Sequence, residues 1–83
     1  MTISKAIAAF NSNHDTLKAE SIFKKSQISV RPIIKPRKIG SNCALALEFP
    51  DAHSPKVLEI CKANRLSLVG IFQKKKGGWD KAI

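Results

Sequence analysis

An α+β sandwich with the element order β-α-β-β-α-β is predicted for this chain by three observations. The apolar period switches repeatedly between a strand-like two and a helix-like three to four. Each switch is marked by capping or breaking residues. The length, 83 residues, allows a single domain with one modest core. Hydrophobic residues at 43% and charged residues at 25% are the proportions of a folded globular chain, which needs neither metal nor disulfide to close its core.

Taken in order, "ISKAIAAFN" (3–11) is short, small-residue and apolar, as a buried central strand is; its alanines alone would also fit a helix. "SNHDTLKAESIFKKSQ" opens with Ser12 three residues before Asp15, an N-cap signature. It sets Ala19, Ile22 and Phe23 at helical spacing and closes on Lys24 and Lys25, where cations suit a helix C-terminus. "ISVRPII" (28–34) is β-branched, and Pro32 confines it to a sheet edge because proline has no N–H to give a central ladder. "CALALEFP" (43–50) alternates Leu45, Leu47 and Phe49 against Ala44, Ala46 and Glu48, the pattern of a half-buried strand. "SPKVLEICKAN" reads as a second helix capped by Ser54, with Pro55 at its first position and Val57, Leu58 and Cys61 on one stripe. "LSLVGIFQ" (66–73) is the last expected strand. The expectation is therefore a ferredoxin-like domain over 1–73, two helices on one face of a four-stranded antiparallel sheet, followed by a basic C-terminal tail over 74–83.

The net charge of +9, from 15 Lys and Arg against 6 Asp and Glu, attracts polyanions in general. The cations are dispersed, with local groups only at Lys35, Arg37 and Lys38 and at Lys74, Lys75 and Lys76. RNA-recognition modules of this topology stack bases on strand aromatics, and this chain has no Tyr, so specific nucleic-acid binding is not expected. No stretch has the length and apolarity of a membrane span or a signal peptide, and a cytoplasmic location follows as the expectation. The two cysteines lack C-x-x-C spacing and should be reduced there, without a structural disulfide, zinc site or cofactor.

The topology singles out Cys43. In a split βαβ arrangement the first and third strands are antiparallel neighbours, so the start of the third lies beside the end of the first. That end is Asn11, which leads directly into the first helix. Cys43 shares strand parity with Leu45 and Leu47, so its sulfur should face the helix start, with His14 a candidate neighbour. Unsatisfied N–H groups there, with Lys35, Arg37 and Lys38 nearby, favour thiolate over thiol. Gly40, Ser41 and Asn42 are small or turn-forming and should leave the sulfur accessible. A small apolar cap on the core is the competing reading of Cys43. On the residues alone His14 reads more readily as a polar first-turn residue than as an acid or base beside Cys43, and Arg37 as a solvated loop cation, while His53 and Cys61 read as structural.

The stretch from about Ala8 to Phe72, running from "FNSNHDTLKAE" through "KPRKIGSNCALAL" to "VGIF", resembles the putative selenium/sulfur carrier family. The most specific pieces are Ser12 and His14 ahead of Lys18, Ala19 and Glu20, then Pro36, Arg37, Ser41 and Cys43. Ala44 departs from the glycine expected after the cysteine, and Lys38 from a commonly acidic position. The resemblance implies a carrier that holds sulfur or selenium on Cys43, with His14, Ser12, Arg37 and Ser41 in support. Its implied partners are a donor such as a cysteine desulfurase and an acceptor enzyme.

No Ser-His-Asp set, Walker loop, paired catalytic carboxylates or metal-spaced cluster occurs in the sequence, so a carrier is expected here and a self-contained enzyme is not. The alternative is a redox-sensing or protein-interaction module in which Cys43 is oxidised and the basic loop docks an acidic partner. A weak nucleic-acid binder ranks below both.

Overall fold

The computed structural model describes residues 5–37, 39–40, 43–75 and 78–81. Its elements run β1 (Lys5–Phe10), α1 (Asn13–Lys25), β2 (Arg31–Ile34), β3 (Leu45–Pro50), a 3₁₀ turn (Asp51–His53), α2 (Ser54–Ala63), β4 (Leu68–Lys75) and β5 (Gly78–Lys81). The strands form one antiparallel sheet in the order β2-β3-β1-β4-β5. The fold is thus α+β with two helices, and the sheet has five strands where four were expected. The fifth comes from the segment read as a tail. Its residues lack an apolar period, and pairing to β4 from Phe72↔Lys81 to Lys75↔Gly78 makes it a strand.

The core follows the alternation along the strands. Ala6, Ala8 and Phe10 of β1, Leu47 and Phe49 of β3 and Ile71 of β4 meet Ala19 and Phe23 of α1 and Val57 and Cys61 of α2 in one buried cluster. Both helices therefore cover the same sheet face. Each fully buried phenylalanine contributes about 1.5–3 kcal/mol of transfer free energy, and Phe10, Phe23 and Phe49 are all fully buried. The opposite face carries a smaller cluster of Ile7, Ala9 and Ala46, covered by Ile39 from the loop between β2 and β3.

Pro32 lies in β2 at the sheet edge, as its missing N–H requires. Lys35 N–H bonds the Ala44 carbonyl at 2.8 Å, and this pair continues the β2–β3 register. The alternation of an antiparallel ladder then turns the nitrogen of Pro32 away from β3, where nothing is lost by its lacking a hydrogen. Both helices close with one device. Ile28 N–H reaches Phe23 O at 2.9 Å and Leu66 N–H reaches Cys61 O at 3.0 Å, with Gln27 (φ 63°) and Arg65 (φ 52°) in the left-handed conformation of a Schellman motif. Ser54 does not cap α2 as expected. The 3₁₀ turn runs directly into the helix, and the Ser54 hydroxyl donates to Asp51 Oδ1 at 3.2 Å.

Candidate functional site

Three elements meet at one end of the sheet: the end of β1, the start of β3 and the N-terminus of α1. The antiparallel β1–β3 register, Lys5↔Pro50 through Ala9↔Ala46, brings the residues before β3 beside the residues after β1. Ser12 caps α1, its side chain accepting from Asp15 N–H at 3.1 Å. Its carbonyl accepts both Thr16 N–H at 3.1 Å and the Thr16 hydroxyl at 2.9 Å. The Asp15 carboxylate does not fold back on the cap. It accepts Ser67 N–H at 2.9 Å, which fastens the helix start to the approach to β4; the Ser67 side chain, and then this N–H, hold the Asp15 carboxyl below its ordinary value.

Cys43 points into this helix start. Its S–H donates to Asn13 Oδ1 at 2.8 Å, its sulfur lies 3.2 Å from Thr16 Oγ1, and Leu45 N–H approaches it at 3.4 Å. The sulfur lies on the helix side, as its strand parity with Leu45 and Leu47 predicts. The expectation of an accessible thiol fails, because Cys43 is 1% exposed. Turning inward to satisfy its hydrogen bonds buries it.

Ser12 acts through the cap and through the carbonyl that holds Thr16. His14 is exposed on the first turn, and its neighbours Asn13 and Thr16 are the helix side chains hydrogen-bonded to the sulfur among the described residues. Arg37 is exposed in the β2–β3 loop, while Ser41 and Lys38 lie outside the described residues. Asn13 and Thr16 were not singled out by the sequence reading. Their spacing of three, one helical turn on the side of a buried residue, is the signal that could have found them. Cys61 sits in the core beneath α2, and burial pushes its thiol up to about 12.

The hydrogens in this cluster can be counted. Three contacts, Thr16 to Ser12 O, Cys43 to Asn13 and Thr16 to Cys43, share two hydrogens, one on oxygen and one on sulfur. An amide has the same shape either way round. With Asn13 turned over, its NH₂ donates to sulfur, the S–H donates to Thr16 and Thr16 donates to Ser12 O, so every contact is satisfied. If the sulfur carries negative charge, the same groups serve again. Thr16 rotates its hydrogen onto sulfur, Asn13 NH₂ and Leu45 N–H donate as well, and Ser12 O keeps the Thr16 N–H. The site can therefore surround sulfur with donors without moving the backbone.

A small α+β domain with a hydrogen-bonded thiol set at a helix N-terminus is the class of protein this geometry defines. The family described as putative Se/S carrier protein-like matches residues 5–73, and the chain belongs to it. No curated protein and no solved structure matches the chain. No helix among the described residues is long and apolar enough to cross a membrane.

Proposed function

We propose that the protein carries a sulfane sulfur or selenium on Cys43 between a donor, such as a cysteine desulfurase, and an acceptor enzyme in the cytoplasm, on a ferredoxin-like core extended by β5. The observation that carries this reading is the convergence of Asn13, Thr16 and Leu45 N–H on the Cys43 sulfur in a chain of the Se/S carrier family. In loading, the Cys43 thiolate attacks the outer sulfur of a donor persulfide. A new S–S bond forms, the donor's S–S bond breaks, and its electron pair leaves on the donor thiolate. In delivery an acceptor thiolate attacks the outer sulfur of the Cys43 persulfide, and Cys43 leaves as thiolate. No external oxidant or reductant enters either step. The donors lie on the inner sulfur, so they assist most where Cys43 is the leaving group, since a better-stabilised thiolate leaves faster.

The thiol is buried, so exchange requires the cover over Cys43 to open, which a docked partner would favour. It also counts against a sensor that meets dissolved oxidants directly, since susceptibility follows exposure. Incubation with a desulfurase and cysteine, followed by mass spectrometry, should show a sulfur adduct that Cys43→Ala lacks and Cys61→Ala retains. Absence of any adduct with several donors would overturn the proposal.

A further inference from the structure

Among the described residues two large apolar side chains are exposed, Leu17 at 59% and Ile34 at 84%. Scattered singly, such residues are ordinary, but the fold sets these two on the same flank of the thiol site. Leu47 belongs to the cluster beneath the helices, so Leu45 and its β2 partner Ile34 stand on that face of the sheet. Asp15 is bonded to Ser67 on the β4 side, and Thr16 to Cys43. Leu17, about 100° further round α1, therefore turns the other way, toward β2, and Asn13, four residues earlier, shares its side.

The helix layer stops short of this edge. α1 packs on β3 and β1, α2 packs on β4, and the close packing of β2 is with β3. Pro32 is accordingly exposed along with Ile34. A step results, with Leu17 and Asn13 on its wall and Pro32, Ile34 and the half-buried Leu45 on its floor.

We propose that this step docks an amphipathic helix of the protein that exchanges sulfur with Cys43, its apolar stripe on Leu17 and Ile34 and its flanks acidic. An α-helix is about 10 Å across, so one laid beside α1 covers the step as a third member of the helix layer, the groove mode of helix recognition. The competing mode, a strand added to β2, is blunted at Pro32, whose nitrogen faces outward with no hydrogen to donate. Charge sets the flanks. Lys18 is exposed next to Leu17, and Arg37 is exposed in the loop that follows Ile34. Glu20, one turn along α1 from Leu17, is already bridged by Lys24 at 3.5 Å, and Asp15 is engaged by Ser67. The net charge of +9 steers an acidic partner toward this surface.

The proposal rests on the carrier reading for its purpose. Leu45 N–H approaches the Cys43 sulfur at 3.4 Å and Asn13 bonds it at 2.8 Å. Floor and wall thus both carry residues that hold the thiol, and a helix seated between them acts where the cover over Cys43 must open.

The test uses the full chain. Titration calorimetry with a cysteine desulfurase reads docking, and mass spectrometry after incubation with desulfurase and cysteine, or with glutathione persulfide, reads loading. Wild type should bind, more weakly as salt rises. The double variant Leu17→Gln, Ile34→Thr places residues suited to a helix and a strand at exposed positions. It should bind at least about tenfold more weakly, as loss of apolar anchors does, and load more slowly from the desulfurase but at the wild-type rate from glutathione persulfide. Pro32→Val restores the outward N–H and keeps an apolar side chain, and it should bind as wild type does; so should Cys43→Ala. No binding by wild type, equal binding by the double variant, or binding indifferent to salt would overturn the proposal. So would tighter binding by Pro32→Val, which would assign an added strand, or self-association of the chain that the double variant abolishes. Docking lost in the double variant, with no sulfur loaded on wild type from any donor, would support the surface and overturn the carrier reading alone.

Discussion

The Thr16 hydroxyl oxygen stands 3.2 Å from the Cys43 sulfur and 2.9 Å from the Ser12 carbonyl, so a single hydrogen has two acceptors to choose between. With Cys43 as thiol it can stay on Ser12; in the proposed delivery step, where Cys43 leaves as thiolate, it turns to sulfur. A hydrogen bond to a charged group contributes about 1.5–3 kcal/mol, so Thr16→Val should slow sulfur release to dithiothreitol roughly 10- to 100-fold. Thr16→Ser keeps the hydroxyl and should recover most of the rate. Equal rates for Thr16→Val and wild type, measured on persulfide-loaded protein as released sulfide, would remove Thr16 from the reaction.

Asn13 tests the same idea from the other side. Asp at this first helical position suits the helix dipole, so Asn13→Asp should fold at least as well as wild type by thermal melting. A carboxylate can accept from S–H, yet it offers no donor to a thiolate and repels one. Delivery from Asn13→Asp should therefore be slower than from Thr16→Val, with stability kept. A variant that delivers sulfur at the wild-type rate would show that the amide only packs against the thiol.

How far these residues were legible in the sequence follows from which signals are local. The α1 start was readable because Ser12 and Asp15 announce a cap within four residues, and β2 was readable as an edge because Pro32 has few other places to go. The position of Cys43 at a helix N-terminus followed from topology and strand parity. Its burial did not, since a loop of Gly40, Ser41 and Asn42 says nothing about which way the following side chain turns. Strand β5 was missed because "KKKGGWDKAI" has no apolar alternation; a ladder partner, not a periodic face, makes it a strand. Asn13 and Thr16 were passed over for His14, whose chemistry is more conspicuous but which faces outward.

Cys61 should be inert toward alkylation in the folded protein. Its thiol is raised from 9.0 to about 12 by burial, and the thiolate is the reactive species. Iodoacetamide at neutral pH should leave Cys61 unmodified until denaturant opens the core. The same shift has a consequence for stability. The folded state holds a proton that the unfolded state releases above about pH 9, so this contribution is complete below that value and is lost as pH rises toward 12. Wild type should weaken relative to Cys61→Ala over that window in urea titrations. Parallel curves would show that the thiol titrates alike in both states.

The Asp15 carboxylate gives the opposite sign. Ser67, through its side chain and then its backbone N–H, holds the group below its ordinary value of 3.8, and His14 and Lys18 add a smaller attraction. A carboxyl depressed in the folded state adds stability above its unfolded value, and that contribution disappears as pH falls through the folded one. Asp15→Asn keeps an acceptor for Ser67 N–H but removes the charge. It should flatten the loss of stability in the acid limb, seen by following thermal midpoints from pH 5 downward. An acid limb unchanged by Asp15→Asn would assign that loss to other carboxylates.

Gln27 offers a gain of stability remote from the thiol. It lies just past the end of α1 with φ 63°, a conformation that costs a residue bearing a Cβ about 1–2 kcal/mol and glycine almost nothing. The backbone must stay there, because Gln27 N–H reaches Lys24 O at 3.1 Å and the next residue, Ile28, reaches Phe23 O, closing the helix and delivering Ile28 to the core. Glycine adds conformational freedom to the unfolded chain, which offsets part of the relief. The net expectation for Gln27→Gly is a stabilisation of about 0.5–1 kcal/mol by urea unfolding, with sulfur loading of Cys43 unchanged. Gln27→Val should go the other way, since a β-branched side chain tolerates positive φ least. A glycine variant no more stable than the valine variant would mean that the left-handed turn is not what limits this helix end.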